Sequence, residues 1–207
     1  AMASEPKQHP EADKIVAEFK GPIEEYHTEC GGKINKIHDL FNSIAMANGK
    51  PPLPPQAVAG LCRLVEDGPK DENGIPVLTL EQVLGAFCAM IPSTDNKEIF
   101  EEKVISNVRE SVKRIRHQKK VFPELQGPLT ELHTKVEGDA NKLHAWFMDL
   151  LPEGAGFPKE QFMIVICRTP PTESKIALEA FLSGIETNMD ESDTVEKING
   201  CIKKHMA

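Results

Sequence analysis

KLHAWFMDLL, residues 142–151, places Leu143, Trp146, Phe147 and Leu150 at steps of three, one and three residues. Side chains so spaced share one face of an α-helix, and here that face is apolar and aromatic. Trp146, the only tryptophan, is therefore expected in a helical core and not on a platform that stacks bases. Working outward from this stretch, the same helical periodicity runs from Glu11 to the end of the chain, and alternating runs rich in Val, Ile and Thr are almost missing. The reading places helices near 11–20, 22–30, 33–47, 55–66, 79–91, 97–118, 128–150, 159–168, 172–185 and 193–204. The expected fold is all-α, with about nine to ten helices in two packed helical subdomains.

Local signals punctuate these segments. Thr79 and Gln82 form a capping box ahead of LEQVLGAFCAMI, and Asp95 with Glu98 is read as the cap of the next helix. Pro92 closes the first of these helices, and Pro123 is expected to follow the second. KPPLPP at 50–55 is extended because each proline ring fixes φ and restricts the residue before it. It is read as a stiff connector into a helix, with a PxxP ligand as the lesser reading. DENGIP at 71–76 contains Asn-Gly, a turn signal. No internal repeat is read. The expected organisation is a flexible tail over 1–10, an N-terminal helical subdomain over 11–92 and a C-terminal one over 93–207.

Charge is distributed unevenly. The net formal charge is −8, yet RESVKRIRHQKK, residues 109–120, holds six cations against one acid. The island thus carries +5 and the remainder −13, a separation that speaks of partners and not of fold. In a helix, Arg109, Lys113, Arg116 and Lys120 follow i, i+4, i+7, i+11 spacing, and Arg114 and Lys119 flank them. His117 lies inside the stripe and is expected to sense pH there, since neighbouring cations disfavour its protonation.

Other chemistry finds little support. Five well-separated cysteines, no signal peptide and no Asn-x-Ser/Thr site point to a reducing cytosol or nucleus, with the thiols packed as small apolar groups. No Cys-x-x-Cys or His-x-x-x-His pair suggests a metal, and no cofactor is expected. EGAG at 153–156 lacks the Lys-Ser/Thr of a phosphate loop, and no serine sits in a Gly-x-Ser-x-Gly elbow. An enzyme acting on a small-molecule substrate is not expected. No run of about 18 apolar residues that could span a bilayer occurs. Aromatic residues make up 5% of the chain and none interrupts the basic run, which disfavours base-stacking recognition and leaves phosphate-level contact open.

The order of several segments resembles the matrix proteins of the orthomyxoviruses. IPVLTLEQVLGAFCAMIPS (75–93) is similar to their Pro-x-Leu-Ser/Thr opening of an amphipathic helix that closes at a proline. KEIFEEKV (97–104) and VRESVKRIRHQKK (108–120) follow as a charged and then a Lys/Arg-rich helix. DANKLHAWFMDLLPEGAGFPKEQFMIVICRTP (139–170) resembles a later helical pair joined by a Gly-centred turn. The likeness spans about residues 30–180. Unlike the influenza members this chain is acidic, and of their Cys-Cys-His-His cluster only Cys167 has a counterpart, so the resemblance implies a divergent, non-influenza genus.

The resemblance implies a viral matrix protein under an envelope. Arg109, Lys113, Arg114, Arg116, Lys119 and Lys120 would then contact anionic membrane and viral ribonucleoprotein or RNA, and copies of the chain would assemble into an open array. The expected location is the virion, at the inner face of the envelope, and the host cytoplasm and nucleus. QGP at 126–128 and LPEG at 151–154 echo a retroviral capsid, without its aromatic and arginine spacing. A capsid-like or non-specific RNA-binding nucleoprotein and a cellular helical adaptor are the alternatives.

Overall fold

The computed structural model describes residues 9–207. Residues 1–8, most of the expected tail, lie outside the described residues. His9 is held: Glu11 N donates to its Nδ1, which leaves Nε2 as the donor to Asp95 O at 2.7 Å. The fold is all-α. Among the described residues the only ladder pairing consists of isolated antiparallel bridges, Lys33 with Val77, Lys70 with Pro76 and Asp139 with Lys175.

The chain divides into two compact units, one ending at Ile115 and the other starting at Arg116. The expected boundary at 92/93 is displaced because Phe100, Ile105, Val108 and Val112 bury themselves in the first core. The first unit comprises α1 (Ala12–Glu18), α2 (Lys20–Cys30), α3 (Ile34–Ala47), α4 (Pro55–Leu61), α5 (Leu80–Met90), α6 (Lys97–Phe100), a π-helical turn over Glu101–Ile105 and the start of α7 (Ser106–Lys135). Its centre is Ile23, Ile37, Leu40, Phe41 and Phe87, all buried. The second unit takes the rest of α7, α8 (Ala140–Leu150), α9 (Lys159–Gln161), a π-helical turn over Phe162–Ile166, α10 (Leu178–Asn188) and α11 (Val195–Met206). Trp146, Phe162 and Phe181 are fully buried in its core, as the spacing around Trp146 predicts.

Several boundaries differ from the sequence reading, each for a local reason. Pro123 does not end α7; the helix runs through both Pro123 and Pro128. Pro123 is exposed, while Leu125, Leu129 and Leu132 pin the opposite side of the helix in the core. The helix expected over 128–150 is cut at 136–139, where Glu137 and Gly138 turn left-handed at φ 54° and 68°. The cap ahead of α6 is Asn96, whose carboxamide oxygen accepts from Ile99 N, and not Asp95. Residues 172–177 are not helical, because Lys175 is spent on the bridge to Asp139. The Thr79–Gln82 capping box and the turn at 71–76, where the Asp71 carboxylate accepts from Asn73 N and Ile75 N, form as expected.

The two units also repeat one plan, which the sequence reading missed. In the first, α2 gives way to Gly31 and Gly32, both left-handed; Leu78 N donates to Gly32 O at 2.8 Å and His27 Nε2 to Leu78 O at 2.7 Å. In the second, α7 gives way to Glu137 and Gly138; Ile176 N donates to Gly138 O at 2.8 Å and His133 Nε2 to Ile176 O at 2.6 Å. His38 donates to Leu53 O and His144 to Phe157 O, each just ahead of a proline that opens a short helix. His9 and His117 form a third such pair on Asp95 O and Asp193 O. Corresponding histidines thus join corresponding elements in both halves, and α1–α6 find counterparts in α7–α11.

Gly32 and Gly138 have no room for a side chain: a Cβ would lie 2.5 Å from Leu78 O in the first case and 2.9 Å from Ile176 O in the second. Both positions also require a left-handed backbone. Gly32→Ala and Gly138→Ala are each expected to destabilise the protein by about 1–3 kcal/mol, read as a lower urea midpoint. Gly156→Ala, where a Cβ meets nothing, should leave the midpoint nearly unchanged.

Candidate anionic-surface interface on helix α7

The basic residues are set on α7 by what the helix buries. In the first unit Val108, Ser111 and Val112 face the core, which leaves Arg109, Lys113 and Arg114 exposed. In the second unit Gln118, Val121 and Phe122 are buried and Arg116, Lys119 and Lys120 are exposed. All six cations singled out from the sequence are therefore accessible side chains of one continuous helix.

They are not bare charges. Arg109 Nη1 lies 3.4 Å from Glu101 Oε1 and Lys113 Nζ lies 3.3 Å from Glu110 Oε1. Arg116 and Lys119 also have partners within the protein. Pairs this exposed contribute between nothing and about 1 kcal/mol to stability, so an anionic surface can compete for the same cations at small cost. The sequence did not reveal the Glu101 pair, since it forms across the π-helical turn ahead of α7.

His117 has a different place from the one expected. The ring is half-buried and Nε2 donates to Asp193 O at 2.7 Å. The arrangement makes His117 a fastener of the second unit, the counterpart of His9, instead of a solvent-facing member of the stripe. Gln118 beside it is a fastener too: its buried carboxamide donates to Thr187 O at 3.1 Å and to Met189 O at 2.9 Å, where α10 ends. A buried glutamine inside a basic run was the sequence signal for this role, and the charge pattern obscured it.

The other reactive groups are also used by the fold. Among the described residues no three His, Cys, Asp or Glu side chains gather as metal ligands, and no helix is long and apolar enough to cross a membrane. Cys30, Cys62, Cys88 and Cys167 are buried as free thiols. Burial pushes the Cys62 thiol up to about 11 and that of Cys167 to about 12; Cys88 is raised to about 11 by burial and by the neighbouring Asp13 carboxylate. Such thiols stay protonated and make poor nucleophiles. No protein-family model, curated protein or solved structure matches the chain.

In the native protein at pH 8, Cys62, Cys88 and Cys167 should react with a thiol-specific disulfide reagent no faster than the protein opens, and all five should react in denaturant. Labelling of Cys167 at the rate of a free thiol would contradict this arrangement.

Proposed function

We propose that the chain is a structural viral matrix protein, not an enzyme, which lines the inner face of an envelope and binds anionic membrane through helix α7. The observation that carries this reading is the set of six exposed cations on α7 in a chain of net charge −8. Near an anionic leaflet each Lys or Arg gains about 1 kcal/mol, so six give reversible adhesion and no insertion. Firm attachment then has to come from many copies acting together. The acidic remainder supplies the complementary surface: contacts between unlike patches run head to tail and build open arrays in place of closed oligomers. The same cations serve ribonucleoprotein or RNA phosphates at other stages, because one set of charges cannot neutralise two polyanions at once. The resemblance of residues 30–180 to orthomyxoviral matrix proteins supports the viral setting.

Cosedimentation with phosphatidylserine vesicles tests the reading. Binding should be strong at 0.1 M salt, where the Debye length is about 10 Å, and largely lost at 1 M, where it is about 3 Å. A variant carrying Arg114→Glu, Arg116→Glu, Lys119→Glu and Lys120→Glu should keep its helical circular dichroism and lose vesicle binding at least about a hundredfold, since four reversals forfeit several kcal/mol of attraction. Retention of binding by the folded variant would overturn the assignment of α7.

A further inference from the structure

The first unit contains a cavity of about 400 Å³. Its walls are Ile44, Leu53, Leu61, Phe87, Met90 and Val104, so its interior is almost wholly apolar. A few polar residues also line it: Asn48, Lys50, Asp95 and Lys103. Ligand sites have this make-up, a greasy interior with a small number of placed polar groups. Asn48 holds part of the lining in place by donating to Ile44 O at 2.8 Å and Lys103 O at 3.1 Å, which ties the end of α3 to the π-helical turn that carries Lys103.

The second unit carries larger side chains at some of the corresponding positions. Phe157 holds the position of Leu53, as the paired carbonyl bonds from His144 and His38 establish, and its ring packs 5.4 Å from Phe147. Phe162, in the next turn, packs 4.9 Å from the same ring, whereas the first unit has Val58 there. Trp146 takes the position of Leu40. Of these three positions Leu53 lines the cavity, and its counterpart in the second unit is a phenyl ring.

We propose that the cavity binds a long-chain fatty carboxylate, with the acyl chain among Leu53, Leu61, Phe87 and Met90 and the carboxylate against Lys50 and Lys103. Two lysines against the single Asp95 give the polar lining a positive balance, which selects an anionic head over a neutral or cationic one. The exposed lysines keep the head in water while the chain is buried, so no charge is desolvated without a partner. This inference is independent of the membrane reading of α7.

Delipidated protein titrated calorimetrically with dodecanoate and, separately, with dodecan-1-ol provides the test. Dodecanoate should bind with a stoichiometry of one and at least about tenfold more tightly than the alcohol, a factor that corresponds to about 1.4 kcal/mol. Lys50→Glu with Lys103→Glu should weaken dodecanoate at least about tenfold and leave the alcohol unchanged. Leu53→Phe, which installs the residue of the second unit, should weaken both ligands. The methyl resonance of Met90 in the unsubstituted protein should shift on addition of dodecanoate, a readout that needs no variant to fold. Absence of both heat and a Met90 shift would overturn the proposal, as would equal affinity for acid and alcohol or undiminished dodecanoate binding by the doubly reversed protein. The α7 charge-reversal variant should bind dodecanoate normally, so loss of vesicle adhesion and loss of this site are separable results.

Discussion

The bond from a histidine Nε2 to a distant main-chain carbonyl, set beside a left-handed glycine, is the constraint on which each half of this protein depends. His27 and His133 reach the carbonyls of Leu78 and Ile176, and the carbonyls of Gly32 and Gly138 accept from the amides of those same residues. The histidine and the glycine therefore grip one residue from two directions. That grip fixes where α5 and α10 start, two residues on, and closes a loop of more than forty residues in each unit. A single bond of this kind contributes about 1 kcal/mol, but a buried carbonyl left without its donor costs about 1–3 kcal/mol, so the requirement for histidine exceeds the net gain from it. Six of the seven histidines are spent on such carbonyls and the seventh, His205, bonds the Asp149 carboxylate. This use as fasteners accounts for a histidine content that would otherwise invite a search for metal or general-base chemistry.

Helix α7 shows how one element serves both the cores and the surface. Its buried positions, Val108, Val112, Val121, Leu125 and Leu129, recur at helical spacing and tie the helix into the cores of both units. Its remaining positions are then outside by geometry, and the sequence loads them with cations. Because the apolar face already determines the helix, the exposed face is free to be strongly basic without cost to folding beyond mutual repulsion, part of which Glu101 and Glu110 relieve. On the matrix reading those two acids also keep the isolated protein from adhering indiscriminately, since any phosphate surface must first displace them.

What could be read from the sequence, and what could not, follows the range of the interaction involved. The helix around Trp146 and the capping box at Thr79 are specified by residues within four positions of one another, and both form as expected. Proline misled at 123 because its cost depends on which side of the helix loses its hydrogen bond, a fact of tertiary placement. The break at 136–139 was written in Gly138, but its left-handed turn is stabilised by His133 and by the remote Ile176. The internal repeat escaped notice for the same reason. What the halves share is a few histidines and glycines, and each gains meaning only with the remote carbonyl or amide it meets. Of the candidate interface, the six cations were legible and their ion-pair partner Glu101 was not; the bond of His117 to Asp193 O, 76 residues away, was not legible either.

Divergence between the halves has gone furthest in side-chain volume. The fasteners and the left-handed turns are retained at matching places, so the backbone plan does not explain why Leu53 stands in one half where Phe157 stands in the other. An interior that loses ring volume without collapsing gives up dispersion contacts and stability in proportion to the void. The first unit carries that cost while keeping Phe41, Phe87 and Phe100 packed edge to face beside the cavity, at centroid separations of 5.0 and 6.5 Å. Those rings, with Asn48 bracing the π-helical turn, keep the walls apart where a looser core would close. A void maintained by rigid walls is the arrangement expected when the space itself has a use.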